Sequence, residues 1–259
     1  MQGQSHHCKK CCLYSYYEKD DKYKKNFEFF LSNAILEDVD YYIIINGDST
    51  VEIPEKNNIR VFTRENKGYD FGAYSHALKN MEHIYDYYFF INTSVIGPYL
   101  DNREPSKDWT DYFIELFNND SVKVVGTSIN VYEFKQFGHD LTELYGDKPV
   151  YPHVQSMFFC IKHDYLEYLN SVNFFNEEEL NDKDITYVVA YKEFGLSQIA
   201  LNKGWNINCI LEKYRDLDYL QIDKNENVSS SGGDPYYKNS YFGKTIQEED
   251  VIFFKNARL

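Results

Sequence analysis

The sequence predicts an α/β fold, a single domain in which a mostly parallel sheet is flanked by helices. Three observations lead to it. Short apolar runs alternate with segments of helical periodicity through the first two thirds of the chain. Polar residues gather directly after those runs, where sheets of this kind bind their ligands. A length of 259 residues with 43% hydrophobic content fills one large core more simply than two small ones.

The apolar runs place strands at 12–17, 41–45, 59–63, 87–91 and 122–127. Between the first two, Phe27, Phe30, Leu31 and Ala34 repeat at helical spacing within 22–36, and further helices are expected at 74–83 and 109–118. The second half is less regular. A strand is expected over 153–161, a helix start at 164–169, and an amphipathic helix over 191–203 that Gly204 ends. The stretch 225–234, with Ser229-Ser230-Ser231-Gly232-Gly233, has the composition of a mobile surface loop or lid.

A formal net charge of -14 argues against a nucleic acid or an anionic membrane as partner, because both are held through lysine and arginine. A small anionic substrate is compatible with it if a few cations, or a divalent metal, are concentrated in one cleft. No segment approaches the roughly 18 apolar residues of a membrane span, and residues 1–7 lack the apolar centre of a signal peptide, so a cytoplasmic location is expected. The five cysteines are odd in number and do not resemble a disulfide framework. His6, His7, Cys8, Cys11 and Cys12 have zinc-ligand chemistry, but their crowding favours a cysteine-rich first strand over a tetrahedral site. With 25 Tyr and 19 Phe, the aromatic share is high, and tyrosines are expected to line clefts or the surface. The richness in Asn, Lys, Ile and Tyr hints at an AT-rich genome such as that of a large DNA virus, which would put the protein in the host cytoplasm.

Four segments carry polar chemistry in a fixed order. The first is Arg64-Glu65-Asn66-Lys67-Gly68-Tyr69-Asp70-Phe71-Gly72, and the second runs from Tyr85 through Asn92-Thr93-Ser94 to Gly97-Pro98. His153-Val154-Gln155-Ser156-Met157 and Glu193-Phe194-Gly195-Leu196-Ser197 follow. In the first, glycines permit close backbone approach while Arg64 and Lys67 supply positive charge for a diphosphate. Asp70 would hold a sugar hydroxyl or orient Arg64; the alternative is a turn with a surface ion pair.

In this combination the chain resembles the rhamnan synthesis protein F family, and its ending, Phe242-Gly243-Lys244-Thr245 then Val251 to Arg258, is similar to that of related viral and algal transferases. The resemblance implies a Rossmann-like GT-A fold and a glycosyltransferase moving rhamnose, xylose or a similar sugar from a UDP- or dTDP-sugar to a carbohydrate acceptor. It divides the domain into a nucleotide-sugar half at about 1–130 and an acceptor half at about 131–259 that includes the tail. Tyr16, Tyr17 and Glu18 would form the base-binding loop, an aromatic stacking on the base, and Asp48 would meet base or ribose; packing and a plain Asn-Gly turn are the alternatives. Asn66, Gly68 and Thr93 belong to the same donor site.

The family's divalent cation, Mn²⁺ or Mg²⁺, is in doubt here. Where GT-A enzymes carry Asp-x-Asp this chain reads Asn92-Thr93-Ser94, leaving Asn92 and Ser94 to touch the sugar or weakly hold an ion. Lys255 and Arg258 would fold back to clamp the diphosphate in compensation; near Gln247 the usual histidine of such an ending is missing. Glu193 would be the catalytic base of an inverting reaction at a helix start, with Asp184 its substitute and a dipole-favoured first-turn glutamate the alternative reading. His153, Gln155 and Ser156 would border the acceptor cleft. Competing with an active enzyme are an inactive nucleotide-sugar-binding module and an assembly protein on the same scaffold.

Overall fold

The computed structural model describes residues 8–255. The first element among the described residues is β1 (Lys10–Tyr16), every residue of which is buried. Helix α1 (Asp21–Asn33) follows, started by the Asp20 carboxylate, which accepts a hydrogen bond from the Tyr23 amide. Then come β2 (Val39–Asn46), β3 (Ile59–Arg64), α2 (Tyr69–Lys79), β4 (Tyr87–Asn92), α3 (Trp109–Ile114) and β5 (Val122–Gly126). The less regular second half contains β6 (Ile129–Tyr132), the two-residue strands β7 (Gln136–Phe137) and β8 (His139–Asp140), α4 (Leu141–Tyr145), β9 (Tyr151–Val154) and β10 (Phe158–Lys162). It continues through α5 (His163–Ser171), α6 (Glu177–Leu180), α7 (Ile185–Val188), a π-helical turn (Val189–Glu193), α8 (Phe194–Asn202) and β11 (Asn206–Cys209).

The central sheet has the order β11-β5-β10-β4-β1-β2-β3 and is parallel except for β10, which runs against both of its neighbours. From β1 the chain winds outward to β2 and β3, then returns to place β4 on the other side of β1. That reversal opens a crevice beyond the carboxyl ends of β1 and β4, the place where such sheets bind ligands. Because β10 and β11 come from the second half, the division near residue 130 runs through one continuous sheet and its main core, and a smaller cluster of Leu141, Tyr151, Ala190 and Phe194 lies in the second half. Among the described residues no helix is long and apolar enough to cross a membrane.

Burial on both faces explains the cysteine-rich first strand. Cys11 and Cys12 are adjacent, so they point to opposite faces of β1; both are fully buried, and burial pushes their thiols up. They do not converge on a zinc ion, and His6 and His7 lie outside the described residues. The aromatic excess also goes inward. Phe90 stacks on Phe159 at 4.4 Å, and Phe158 lies between Phe113 at 4.0 Å and Phe253 at 4.7 Å. Many tyrosines are core residues instead of surface ones; some hydroxyls are bonded internally, as in the chain Tyr42, Tyr85 and Asp40 with contacts of 2.8 and 2.7 Å, while those of Tyr14 and Tyr74 have no hydrogen-bond partner.

Four expectations need correction. The run 153–161 is two strands: β9 pairs with β6 in a separate ribbon, β10 joins the central sheet, and Gln155-Ser156-Met157 makes the crossing. Helix α2 starts at Tyr69, not at 74, because Gly68 adopts φ +67° and turns the chain directly into the helix. The expected helix 109–118 stops at Ile114. Finally, 225–234 is not a loose lid: Asn227 is buried, donating to the Tyr214 hydroxyl and the Ser240 carbonyl, both at 2.7 Å, and accepting from the Phe242 amide at 3.0 Å.

Gly68 tests this account. A Cβ there would sit 2.8 Å from Leu180 Cβ in a left-handed backbone. Gly68→Ala is expected to destabilise the fold by about 1–3 kcal/mol, read as a lower urea midpoint with an unchanged slope.

Candidate functional site

The crevice is built around Thr93. Its hydroxyl donates to the Ser15 carbonyl at 2.9 Å and accepts from the Tyr17 amide at 3.1 Å, while the Asn26 amide donates to the Thr93 carbonyl at 2.8 Å. Expected as a donor contact, Thr93 is only 3% exposed, and its side chain is taken up in pinning β1, β4 and α1 together. Asn92 and Ser94 flank it and remain partly exposed.

Beyond β1, Glu18 accepts from the Thr50 amide at 2.7 Å, the Thr50 hydroxyl at 2.6 Å and the Tyr16 hydroxyl at 2.8 Å, and the Thr50 bonds hold its carboxyl below the usual range. Tyr16 is fully buried with its ring 4.2 Å from Phe27, so it is unavailable for stacking on a base; Tyr17, 43% exposed, is the aromatic presented there. Asp48 is exposed beyond Gly47, where the chain turns with φ +87°.

Arg64 does not meet Asp70. Its guanidinium donates to Asn46 Oδ1 and the Lys67 carbonyl, each at 2.9 Å, and pairs with Glu177 at 3.2 Å, which also meets His76 at 3.1 Å. With its side chain 7% exposed, Arg64 is a strut and not a free diphosphate ligand. Asn66 is exposed, and so is Lys67, which pairs with Glu65 at 2.6 Å.

At the centre, Asn92 Nδ2 donates to Asp70 Oδ2 at 2.8 Å. Asn92 Oδ1 accepts from the Ser94 amide at 3.0 Å and the Ser94 hydroxyl at 2.6 Å. Burial pushes the Asp70 carboxyl up to about 6; the Asn92 bond opposes that rise, and the negative charge of Glu193 adds to it. Asp70 and Glu193 therefore share one electrostatic environment although 123 residues separate them, by subtraction of their numbers.

Glu193 sits in an unexpected piece of chain. It is not in the first turn of a helix: α7, the π-turn and α8 run on continuously, and the Phe194 amide donates to the Val189 carbonyl five residues back. The carbonyl of Ala190, within the widened turn, accepts from the Tyr145 hydroxyl at 2.7 Å. Glu193 Oε2 accepts from the Ser156 amide at 2.9 Å and also from the Ser156 hydroxyl, and Oε1 lies 3.8 Å from His153 Nε2. His153 is 1% exposed, and its Nδ1 bonds the Tyr151 carbonyl at 3.0 Å, which assigns the proton to Nδ1 and turns the Nε2 lone pair toward Glu193. Burial lowers the His153 pKa, against the pull of Glu193, so the ring is neutral at pH 7.

Gln155 leaves the group. It is 6% exposed, accepting from the Ser128 hydroxyl at 2.7 Å and donating to Asp234 at 3.2 Å, so it braces the crossing between β9 and β10. Asp184 caps α7 through the Tyr187 amide at 2.8 Å. Lys255 follows Phe254, whose backbone pairs with Ile96 just past β4; Arg258 lies outside the described residues.

A Mg²⁺ or Mn²⁺ ion does not fit at 92–94. The donors there are a neutral amide oxygen already accepting twice, a hydroxyl turned onto that oxygen, and the buried Thr93, whereas a hard cation takes oxygens of higher charge. Among the described residues no group of three or more His, Cys, Asp or Glu is placed to hold a metal.

No family model matches the chain, and no curated protein does. Solved structures similar to it include a mannosyltransferase from Pyrobaculum calidifontis in complex with GDP-Man and Mn²⁺, at 8% identity and TM-score 0.47, covering 78% of this chain and 55% of that one. This chain thus spans about half the length of that enzyme. A glycosyltransferase involved in glycosylation of the major capsid of PBCV-1 aligns at 13% identity and TM-score 0.38, covering 71% of this chain and 74% of that one. A 4-diphosphocytidyl-2C-methyl-D-erythritol synthase from Anaerococcus prevotii aligns at 8% identity and TM-score 0.42, covering 85% and 92%. Likenesses at this level do not choose among reactions, and the functional reading rests on the site.

Asp70 gives that site a pH signature. Its folded pKa of about 6 lies above the ordinary 3.8, so the native state retains a proton that the unfolded chain releases. Stability from this group is greatest below about pH 4, falls as pH rises through about 6, and is level above. Asp70→Asn is expected to remove that fall, its stability relative to the parent rising between pH 4 and about 7 in urea titrations.

Proposed function

We propose that this chain is a nucleotide-sugar-dependent glycosyltransferase of the GT-A type, acting by inversion with Glu193 as its base. The observation that carries the proposal is the carboxylate of Glu193, tied to Ser156 and delivered by a π-turn to the crevice that also holds Asp70 and Asn92. π-turns inside helices recur at functional sites, where they re-aim a side chain.

In this reading residues up to about 130 hold the donor, a UDP- or dTDP-sugar, with Tyr17 and Asp48 toward the nucleotide and Asp70, Asn92 and Ser94 toward the sugar. The remainder holds the carbohydrate acceptor and the base. Oε1 of Glu193, the oxygen not bonded to Ser156, takes the acceptor hydroxyl proton as that oxygen attacks the anomeric carbon. The bond from that carbon to the diphosphate breaks, and the nucleoside diphosphate leaves with the electron pair. Neutral His153 leaves Glu193 without an ion-pair partner that would weaken it as a base. Rhamnose or xylose as the transferred sugar follows from the motif resemblance alone.

Glu193→Gln is expected to lower kcat at least about 100-fold with nucleotide affinity unchanged. Full activity in that variant would point to retention in place of inversion. Ser156→Ala removes one of the two donors that hold the Glu193 carboxylate, so kcat is expected to fall about ten-fold with nucleotide affinity unchanged. A second reading, an inactive nucleotide-sugar-binding module, is favoured by the closed bonding of Asn92 with Ser94. It would be adopted if donors raise the melting temperature and none is turned over with any acceptor.

A further inference from the structure

A second depression adjoins the crevice. It is a cleft of about 390 Å³, within the roughly 300–1,000 Å³ of small-molecule sites, between α1 and the chain near Phe254. Ser94 lines it, so it meets the Asp70–Asn92 cluster through the Ser94 hydroxyl that donates to Asn92. Lys22 and Lys25 of α1 line it from the other side, three positions apart and therefore on one face of the helix.

Both ammonium groups are exposed, and among the described residues neither has a carboxylate partner. That contrasts with the two cations the sequence motif offered, Arg64 committed to Glu177 and Lys67 to Glu65. In a chain of net charge -14, two unpaired lysines facing one cleft form a local reversal of sign. The cleft also holds one acid, Glu248, which bonds Tyr99 across it. The floor is fixed: Asn26, on the same helix, donates to the Thr93 carbonyl, and Phe254 is paired in the backbone with Ile96.

We propose that this cleft is the diphosphate site and that Lys22 and Lys25 supply the positive charge that a divalent cation would bring to an Asp-x-Asp motif. The proposal rests on the transferase reading for its ligand, a nucleoside diphosphate, and adds that this ligand binds without metal. Two ammonium groups balance most of the diphosphate charge, and as the bond to the sugar breaks they stabilise the charge developing on the leaving oxygen. The close approach of Gly97 to the Ile252 carbonyl, 2.4 Å from where a Cβ would stand, and the backbone pairing of Ile96 with Phe254 hold Phe254 in the opposite wall.

The test is calorimetric binding to the whole chain in EDTA, with inorganic pyrophosphate and UDP, dTDP and GDP as probes. Pyrophosphate and at least one nucleotide are expected to bind without added metal. Lys22→Ala/Lys25→Ala should weaken both at least ten-fold at an unchanged melting temperature, and Lys22→Arg/Lys25→Arg should restore the affinity. Equal affinity in the alanine pair overturns the proposal, as does pyrophosphate that fails to bind the parent or binds only when Mn²⁺ is added. If pyrophosphate binds through the lysines while no nucleoside diphosphate binds, the anion site stands and the transferase reading falls instead.

Discussion

Where two parallel strands end side by side, their last amides and carbonyls lose their ladder partners, and something must bind them if a crevice is to keep its shape. Thr93 does this for β1 and β4. One small side chain donates to Ser15 of β1 and accepts from Tyr17 just past its end, and its own carbonyl is taken by Asn26 of α1. With Thr93 turned inward, its neighbours Asn92 and Ser94 are left at the crevice with fixed spacing. The rest follows from that anchorage: Asp70 is set by Asn92, and the neighbouring cleft reaches the same place through Ser94. A carboxylate in place of Thr93 would be buried without a cation, which accounts for a neutral residue at the middle of the triplet.

The strands of the central sheet were legible because β1, β2 and β4 are buried on both faces and read as unbroken apolar runs. What failed was whatever depended on partners distant in sequence. The run 153–161 is apolar throughout, and nothing in its composition marks the residue at which it leaves the ribbon with β6 for the central sheet. Gln155 looked like an acceptor contact because it lies with His153 and Ser156 in a segment expected to border the acceptor cleft, but its role is decided by Ser128 and Asp234. Arg64 looked free because Glu177 is 113 residues away.

For the candidate site, the motifs located Asp70, Asn92, Ser94, His153, Ser156 and Glu193, and the fold brings the pairs Asp70–Asn92 and Glu193–Ser156 into direct contact. Charge was read less well than position. The sequence offered Arg64 and Lys67 as cations because they stand within a glycine-containing motif, and both are neutralised locally. Lys22 and Lys25 went unremarked because they occupy an ordinary amphipathic helix, and only the packing of α1 over Thr93 gives their position meaning.

The π-turn that carries Glu193 separates two kinds of change in the gene. Substitution within 189–193 alters a side chain but keeps the i to i−5 bond that closes the turn on Val189. Loss of a single codon would let the segment relax to a regular helix and rotate whatever lies on one side of it by about 100° relative to the other. The carboxylate keeps its place at Ser156 only if α7 or α8 turns its buried face away from the core, since Val188 lies on one side of the turn and Phe194, Leu196 and Ala200 on the other. Partly exposed positions beside Glu193 can thus change in composition, whereas a one-residue deletion would turn either Glu193 away from Ser156 or an apolar face of α7 or α8 away from the core.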